Sequence, residues 1–316
     1  MTSKKTVMTE KLQILLATFN SERYLAQQLD SILAQDYQDF EILVRDGGST
    51  DATMELISAY RQKFPGKIIF VGQRRTNARE SFSELLKVFD ADLLMFSDHD
   101  DVWMPDKISV SIAKYEEMKQ RYGAETPILV FSDAVVVDRE MKLIAPSLIE
   151  YQNLNPRDLS LSGLILQNVP SGNEMLFNRA LADLALPIPE EAVMHDHWIS
   201  LVAASFGKIE FIERPTLYYR QHDCNVYGAT AYSPAFFYRR MKQGRNQIRE
   251  RFEQNITQAA VFGQKYGGSL NSHDRELCTA LAQWPRMGFW EKRRIIWKYH
   301  LRKSGFLRNL GVFLIA

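Results

Sequence analysis

The part of the sequence best suited to chemistry is a run of four residues near position 100: Asp98, His99, Asp100 and Asp101. They follow the apolar run 93–96, which is typical of a buried strand, and open α/β sheets bind ligands at the carboxyl ends of such strands. Three carboxylates this close repel one another unless a cation neutralises them. Oxygen ligands favour Mg²⁺ or Mn²⁺, which water and substrate phosphates usually complete. The run therefore predicts a metal-bound diphosphate; the alternative is a solvated acidic loop that caps a helix at Pro105.

Alternating strands and helices lead up to this cluster. Strands are predicted at 11–18, 40–44, 67–71 and 93–96, and the intervening helices open near 19–21 or span about 53–64 and 78–89. This order predicts a mainly parallel sheet. Asp46 then lies at the tip of the second strand, where Gly47 and Gly48 allow a tight turn and Ser49 or Thr50 can cap the next helix.

Several short motifs recur in an order and spacing that resemble a known family. They are A-T-F-N at 17–20, D-G-G-S-T-D-A-T at 46–53, S-D-H-D-D-V-W at 97–103, S-G-N-E-M-L-F-N-R-A-L at 171–181, H-D-H-W at 195–198 and Y-R-Q-H-D-C-N-V-Y-G at 219–228. Together they resemble a family 2 glycosyltransferase, and within that family the bacterial rhamnosyltransferases that build surface polysaccharides such as O-antigen or capsule. The resemblance covers roughly residues 11–228.

The resemblance implies an α/β fold of the GT-A type, the Rossmann-like fold of nucleotide-diphospho-sugar transferases. A mainly parallel central sheet flanked by helices is expected over residues 1–234, as a catalytic domain, and residues 235–316 are expected to form a basic, amphipathic helical region. Ser233-Pro234 marks the expected boundary.

The charge is divided unevenly at that boundary. Residues 235–316 carry 16 Lys and Arg against 5 Asp and Glu, although the whole chain has a net charge of only +1. Cations mixed with aromatic and aliphatic residues at 236–242 and 293–303 predict an interfacial membrane anchor. The alternative is a helical subdomain that packs on the catalytic domain, where it could also form a homodimer. Nucleic acid is not an expected partner, because no motif resembles a groove-reading element.

Composition indicates an ordinary globular enzyme. The 316 residues are 46% hydrophobic and 24% charged, which allows a large core. The two cysteines, Cys224 and Cys278, have no metal-like spacing and fit a reducing cytoplasm. No signal peptide or apolar run of about 18 residues is apparent, so we expect a cytoplasmic protein. The membrane-anchor hypothesis would place it at the inner face of the cell membrane as a peripheral protein.

The resemblance also implies roles in an inverting sugar transfer, in which an acceptor hydroxyl displaces a nucleoside diphosphate in one step. Asp100 and Asp101 would hold Mg²⁺ or Mn²⁺, and Asp98 would reach the ribose or the metal's hydration shell. Five further residues would complete the nucleotide-sugar site. Thr18, Phe19 and Asp46 would contact the base, Asn20 would lie beside them, and Arg79 would reach the site from the third helix. For Arg79 the alternative is a solvated arginine at the start of a helix. The donor is expected to be dTDP-L-rhamnose or a UDP-sugar, and the acceptor a lipid-linked or growing glycan.

Asp196 is the expected general base, because it matches the acid of the family's E-D pair; as an isolated aspartate it would be a helix N-cap. His195 replaces the family's glutamate. Trp198 could stack on an acceptor sugar or lie in the core. His222 is expected to reach the metal and Arg220 the diphosphate, with a purely structural role as the alternative for the histidine.

Two further positions depart from the family pattern: Gly47 replaces an aspartate, and Asn77 replaces a glycine before the third helix. Functions of other classes are also considered. A nucleotidyltransferase would need a glycine-rich loop, but residues 18–23 contain no glycine. A non-catalytic membrane scaffold would leave the aspartates at the motif positions unexplained.

Overall fold

The computed structural model describes residues 10–223, 225, 228–233 and 245–316, and a nine-stranded sheet lies at the centre of this part of the chain. The strands are β1 Leu12–Thr18, β2 Phe40–Asp46, β3 Ile68–Gln73, β4 Leu93–Ser97, β5 Val102–Trp103, β6 Ile128–Val137, β7 Leu143–Ala145, β8 Met175–Asn178 and β9 Lys208–Arg220. The α-helices of the described residues are α1 Leu25–Leu33, α2 Thr53–Lys63, α3 Ala78–Leu85, α4 Lys107–Tyr122, α5 Leu148–Tyr151, α6 Leu161–Ile165, α7 Arg179–Ala185, α8 His195–Phe206, α9 Arg245–Tyr266, α10 Ser272–Ala282, α11 Phe289–Lys298 and α12 Phe306–Ile315.

The strand order is β3-β2-β1-β4-β8-β6-β9-β5, with β7 beside β6. The first four strands are parallel, whereas β8 runs antiparallel to both β4 and β6. The register pairs Thr18 with Asp46 and Leu16 with Ser97. The segments that follow β1, β2 and β4 therefore emerge at one edge of the sheet, which confirms the predicted mainly parallel α/β architecture.

The two faces of the sheet bury separate cores because side chains alternate along each strand. From β1, Ile14 and Leu16 pack with α1, α2 and α4, whereas Leu15 and Ala17 pack with α3 and with helices from α6 onward. Every residue of β1 is buried, as expected for a strand covered on both faces.

The C-terminal helices pack on the second of these cores. Phe252, Ile256 and Phe262 of α9 are buried together with Trp198 of α8. The inner faces of these helices therefore pack on the core, as in the alternative of a helical subdomain. The proposed boundary at Pro234, the basic run 236–242 and Cys224 lie outside the described residues; Cys278 is a buried free thiol. No described helix is both long and apolar enough to cross a membrane.

Some local predictions were wrong at the turn after β2. Helix α2 is preceded by Ala52, with no side-chain cap, because the Ser49 hydroxyl instead accepts from the Asn20 N–H and donates to Asp46. Similarly, α1 begins only at Leu25, since residues 22–24 form a turn. Both differences tie the segment after β1 to the turn after β2.

Candidate active site

A large cavity of about 1720 Å³ opens at the edge of the sheet where β1, β2 and β4 end. At one end it is lined by Thr18, Phe19 and Asn20, and at the other by residues of α9 such as Ile248 and Gln254. Sites for one drug-sized ligand occupy roughly 300–1,000 Å³. This cavity therefore has room for a nucleotide-sized molecule and a second substrate together.

The acidic cluster divides between the cavity and the interior. Asp98 and Asp100 line the cavity. The Asp98 carboxylate accepts no hydrogen bond from the described residues, and burial together with the charges of Asp100, Asp101 and Asp196 raises its pKa well above the usual value. An unpaired, partly buried carboxylate beside another acid is costly without a counter-ion. A positive charge bound in the cavity would therefore stabilise the ionised form of Asp98.

Asp100 is paired with His222, which comes after β9. Its Oδ2 lies 2.8 Å from His222 Nε2, and the imidazole stacks on the Tyr24 ring at a centroid distance of 4.8 Å. Burial acts to raise the pKa of Asp100, but the hydrogen bond from His222 and the nearby imidazoles lower it overall. Asp100 therefore keeps its negative charge at the cavity wall, and the structure brings it together with His222, the other predicted metal ligand of this region.

Asp101 does not line the cavity, so the structure does not place it with Asp98, Asp100 and His222 at the predicted metal site. It is only 1% exposed, and its oxygens accept hydrogen bonds from the Arg220 backbone N–H at 3.0 Å and from the Asn173 side-chain amide. Burial and the charge of Asp100 raise the pKa of Asp101 to about 7. Each oxygen accepts a hydrogen bond from the protein and Asp101 does not line the cavity, so in this structure its visible role is to hold the loop.

Arg220 supports the same loop and does not reach the cavity, contrary to the predicted diphosphate contact. Its side chain donates to the carbonyl oxygens of Asp100 and Arg139 and to the Gln27 side chain, and the residue is 3% exposed. The guanidinium also lies 4.6 Å from the centre of the Tyr24 ring. Its donors therefore fix the position of the Asp100 backbone.

Asp46 is another predicted ligand that is satisfied internally. It is fully buried and accepts hydrogen bonds from the Thr18 and Ser49 hydroxyls and from the backbone N–H groups of Gly48 and Ser49. A carboxylate with four donors shapes the turn and has no free oxygen directed at a base. Asp46 does not line the cavity, so the structure does not place its carboxylate at the predicted site of the nucleotide base.

The residues after β1 do lie at the cavity. Thr18 lines it although its hydroxyl is bonded to Asp46, and Phe19 exposes half of its surface there. Asn20 has a positive φ of 46° and accepts from the Thr50 N–H, which holds this segment against the turn after β2. These three side chains form one end of the cavity.

The two departures from the family pattern lie at that same end. A Cβ at Gly47 would be 3.2 Å from the Thr18 carbonyl oxygen and 3.3 Å from that of Thr76, so the neighbouring backbone fills the space that a side chain would need. Asn77 is the N-cap of α3 and accepts from the Glu80 N–H. Glycine at 47 is thus matched to the close approach of residues 74–76.

Arg79 lines the cavity from α3. Its guanidinium Nη1 donates at 3.4 Å to the carbonyl oxygens of Pro189 and Ala192, and Nη2 lies 3.6 Å from Glu80. The side chain is 16% exposed, so it is held against the 189–192 loop and is not the freely solvated arginine of the alternative.

Asp196 lines the cavity from the first turn of α8. Its Oδ1 accepts from the His197 N–H at 2.7 Å, and its Oδ2 accepts from the Gly172 N–H at 3.1 Å. Met194 occupies the N-cap position, so the N-cap alternative for Asp196 is not what the structure shows. Burial raises the pKa of Asp196 to about 6, which suits a group that takes a proton near neutral pH.

His195 and Trp198 differ sharply from Asp196 although they share its helix. The His195 imidazole stacks on Phe82 at 4.0 Å, neither ring nitrogen has a partner among the described residues, and burial lowers its pKa to about 3. Trp198 is fully buried, donates from Nε1 to the Ala185 carbonyl and packs on Phe262. Of its two predicted roles Trp198 has the core one, and acceptor stacking by this residue is ruled out by its burial.

Sequence reasoning assigned no role to the residues that hold the two sides of the cavity together. Asn173 bonds to Asp101, and the neighbouring Gly172 bonds to Asp196. A Cβ at Gly172 would lie 3.3 Å from His195 Nε2 and 3.4 Å from the Asp196 Cβ. The signal was present in the S-G-N-E motif, whose glycine marks this close approach.

A divalent cation fits these residues only with help from a ligand. Among the described residues no group of three His, Cys, Asp or Glu side chains is close enough to enclose a metal. However, the Asp98 carboxylate accepts no hydrogen bond from the part of the chain that the structure describes, and Asp100 and His222 line the same cavity. Two carboxylates and an imidazole are suitable donors for Mg²⁺ or Mn²⁺ when phosphate and water complete the coordination.

Parts of this chain are similar in sequence to known glycosyltransferases. Residues 13–131 match the model of the family described as Glycosyl transferase family 2. The dTDP-rhamnosyl transferase RfbG of Shigella flexneri is 26% identical over 229 residues, which is 68% of this chain and 74% of the relative.

Two solved structures share the fold. Residues 1–349 of Staphylococcus aureus TarS in complex with UDP superpose with a TM-score of 0.52 at 17% identity, covering 92% of this chain and 89% of that one. The mannosyltransferase PcManGT of Pyrobaculum calidifontis, in complex with GDP-Man and Mn²⁺, gives 0.52 at 15% identity over 96% and 84%. At these identities the likeness concerns the fold alone.

Proposed function

We propose that the chain is a family 2 glycosyltransferase, an inverting, metal-dependent enzyme that transfers L-rhamnose from dTDP-L-rhamnose to a hydroxyl of a lipid-linked or growing surface glycan. The match of residues 13–131 to the family model and the fold shared with TarS support this assignment. The observation that carries the proposal is that Asp98, Asp100 and His222 share one cavity with Asp196. The residues proposed to bind the cation and the residue proposed to act as base therefore line the same cavity. The charge of Asp196 is near enough to raise the pKa of Asp98.

Asp196 acts as the general base in this proposal. The acceptor oxygen attacks the anomeric carbon while its proton passes to the Asp196 carboxylate, and the bond from that carbon to the diphosphate oxygen breaks on the opposite face. Hydrogen bonds from Gly172 and His197 fix the carboxylate, and its pKa of about 6 leaves it mostly ionised at pH 7. A group of this kind contributes roughly 10²- to 10⁴-fold to the rate.

Asp98, Asp100 and His222 would hold the cation. When bound, Mg²⁺ or Mn²⁺ neutralises charge that develops on the departing diphosphate. The Asp100–His222 contact orients both side chains, and Arg220 fixes the Asp100 backbone through its carbonyl. Because the supporting contacts come from β9 and α1, the ligand geometry is set before any substrate arrives.

The nucleoside is placed at the end of the cavity formed by Thr18, Phe19 and Asn20. The half-exposed Phe19 ring offers a flat apolar surface beside the backbone of Gly47 and Asn77. Asp46 acts there indirectly, by shaping the turn that presents Gly47. Support for dTDP-L-rhamnose as donor comes from the similarity to RfbG, and a UDP-sugar is the alternative donor.

A screen of nucleotide sugars tests the proposal. dTDP-L-rhamnose, UDP-GlcNAc and GDP-mannose are each added with Mg²⁺, Mn²⁺ or EDTA, and both donor hydrolysis and the thermal unfolding midpoint are measured. Ligand at about 100 times its Kd stabilises the folded state by roughly 2.7 kcal/mol, so the true donor with metal should raise the midpoint by several degrees. The proposal is wrong if no nucleotide sugar with metal is hydrolysed or protects the protein.

A further inference from the structure

The outer surface of the last two helices is unusually apolar. Among the described residues twelve large hydrophobic side chains are exposed, and seven of them lie within residues 289–316. We call these seven the aromatic face: Phe289, Trp290, Trp297, Phe306, Leu310, Phe313 and Leu314. Trp290 is 77% exposed, Trp297 82% and Phe306 78%. Solitary exposed apolar residues are ordinary, but a contiguous set is typical of a surface that meets an apolar phase or a partner.

The aromatic face is continuous because the two helices are tied together. Trp290 and Trp297 are two turns apart on one side of α11, as Phe306 and Phe313 are on α12. Between the helices lies Arg293, which donates to the Phe289 carbonyl at 3.0 Å and to the Phe313 carbonyl at 2.8 Å. Its guanidinium also lies 3.3 Å from the centre of the Phe289 ring.

The folded chain does not need the aromatic face for its own packing. Ile295 and Ile296 of α11 and Val312 of α12 pack on the core shared with the catalytic domain, together with Tyr299 and Leu301 from the segment between the two helices. The helix pair is therefore docked by one side while its most hydrophobic side chains point outward. This is the arrangement of an interfacial helix rather than of a core element.

Positive charge surrounds the aromatic face. Residues 284–316 contain eight Lys and Arg and only one acid, Glu291. Arg286 and Arg294 are exposed, whereas Arg293, which the sequence suggested as a lipid-facing cation, is 6% exposed and serves as the tie between the helices. Lys298 and Arg302 are exposed but pair with Glu276 and Asp158.

We infer that the aromatic face docks on an anionic lipid surface, with Trp290, Trp297 and Phe306 inserted at the headgroup level. Charge complementarity selects this occupant. In a symmetric pair of chains the same basic surroundings would meet each other and repel, whereas anionic headgroups attract them. This inference goes beyond the transfer reaction and does not depend on it, although it would bring a lipid-linked acceptor close to α9, which packs on α12 and lines the cavity.

Vesicle co-sedimentation of the full chain tests the inference. Phosphatidylcholine vesicles with and without phosphatidylglycerol are compared at low and high salt, using a Trp290→Ser/Trp297→Ser/Phe306→Ser variant and an Arg286→Glu/Arg294→Glu variant. The matched control is Ile69→Ser/Val88→Ser/Leu143→Ser, which removes exposed apolar side chains of the catalytic domain. Thermal unfolding confirms that each variant is folded.

We expect wild type and control to bind anionic vesicles equally, with binding reduced by high salt. The Trp290→Ser/Trp297→Ser/Phe306→Ser variant and the Arg286→Glu/Arg294→Glu variant should each bind anionic vesicles at least tenfold less than wild type. No binding of wild type to anionic vesicles at low salt, or equal loss in the control, would overturn the inference. A dimer in sedimentation velocity that the tryptophan variant dissolves would assign the face to a second copy instead. Metal-dependent dTDP binding, measured on the same samples, reports separately on the proposed transferase site.

Discussion

Asp100 and Asp101 are neighbours in the chain, yet they belong to different layers of the site. Asp100 lies at the cavity wall with His222, whereas Asp101 lies in a supporting layer behind the wall with Arg220 and Asn173. The carboxylates of the wall line the cavity, whereas those of the supporting layer lie behind it and accept hydrogen bonds from the protein on both oxygens. Carboxylates of one acidic motif can therefore either face a ligand cavity or support the loop behind it. The contacts of each carboxylate in the structure distinguish the two roles.

The same division applies to the rest of the cavity. Asp98 and Asp196 belong to the wall, while Asp46 belongs to the supporting layer, where four donors surround it. If the comparison is right, changes in the wall should affect chemistry with little effect on stability. Changes in the supporting layer should do the reverse.

The largest effect is expected for Asp196→Asn. Asparagine keeps the size of the side chain but cannot take the acceptor's proton, so transfer should fall by roughly 10²- to 10⁴-fold while donor binding stays nearly unchanged. Initial rates of transfer and calorimetric donor binding measure the two quantities. Asp183→Asn on the exposed surface of α7 is the control. Transfer by Asp196→Asn within threefold of wild type would remove Asp196 from the wall's chemistry.

Removal of the metal should have the next largest effect. Metal stabilisation of a leaving group contributes several kcal/mol, so dialysis against EDTA should lower transfer by about a hundredfold or more. Readdition of Mg²⁺ or Mn²⁺ should restore it. A metal-free enzyme that retains its full rate would show that Asp98 does not serve to bind a metal.

In the supporting layer, Asp101→Ala should act on stability. The substitution leaves the Arg220 N–H and the Asn173 amide without their acceptor in a buried site, at a cost of roughly 1–3 kcal/mol. Urea unfolding measures this loss, with Asp183→Ala as the exposed control. An unchanged free energy of unfolding would mean that Asp101 does not hold the loop.

The pH dependence should be the smallest effect. Burial raises the pKa of Asp196 to about 6, so at pH 5 most molecules carry the protonated form, which cannot act as a base. The transfer rate at saturating donor should therefore rise about tenfold between pH 5 and pH 7 and then level off. A rate that is flat or falls over this interval would contradict the assignment.

The fold and the location of the site follow from local signals. Apolar runs end at Thr18, Asp46 and Ser97, and parallel register brings those ends to one edge. The direction of individual side chains within the turns does not follow, because residues 98–101 have no periodicity and Asp46 is satisfied by backbone donors of its own turn. The roles of Asp98, Asp100, Asp196 and His222 stay predictions.

Trp198 and Arg220 show two kinds of missing information. Helix α8 buries every residue from His197 to Ala203. Because a helix that is apolar on all sides is usually buried, the core position of Trp198 could have been predicted from the sequence. Arg220 bonds to residues 81, 120 and 193 positions away in the chain. No local pattern predicts such contacts.

Calorimetry on a matched pair of variants tests the division between the two layers most directly. dTDP is titrated with Mn²⁺ into wild type, Asp100→Asn and Asp101→Asn. In the Asp101→Asn variant the side-chain oxygen can still accept from the Arg220 N–H. The new amide can donate to the Asn173 Oδ1, which has no partner among the described residues, once the Asn173 amide turns over so that its oxygen replaces its nitrogen beside residue 101. We expect at least about tenfold weaker binding by Asp100→Asn, which is about 1.4 kcal/mol, and unchanged binding by Asp101→Asn. Equal weakening in both variants, or full binding by Asp100→Asn, would contradict the account.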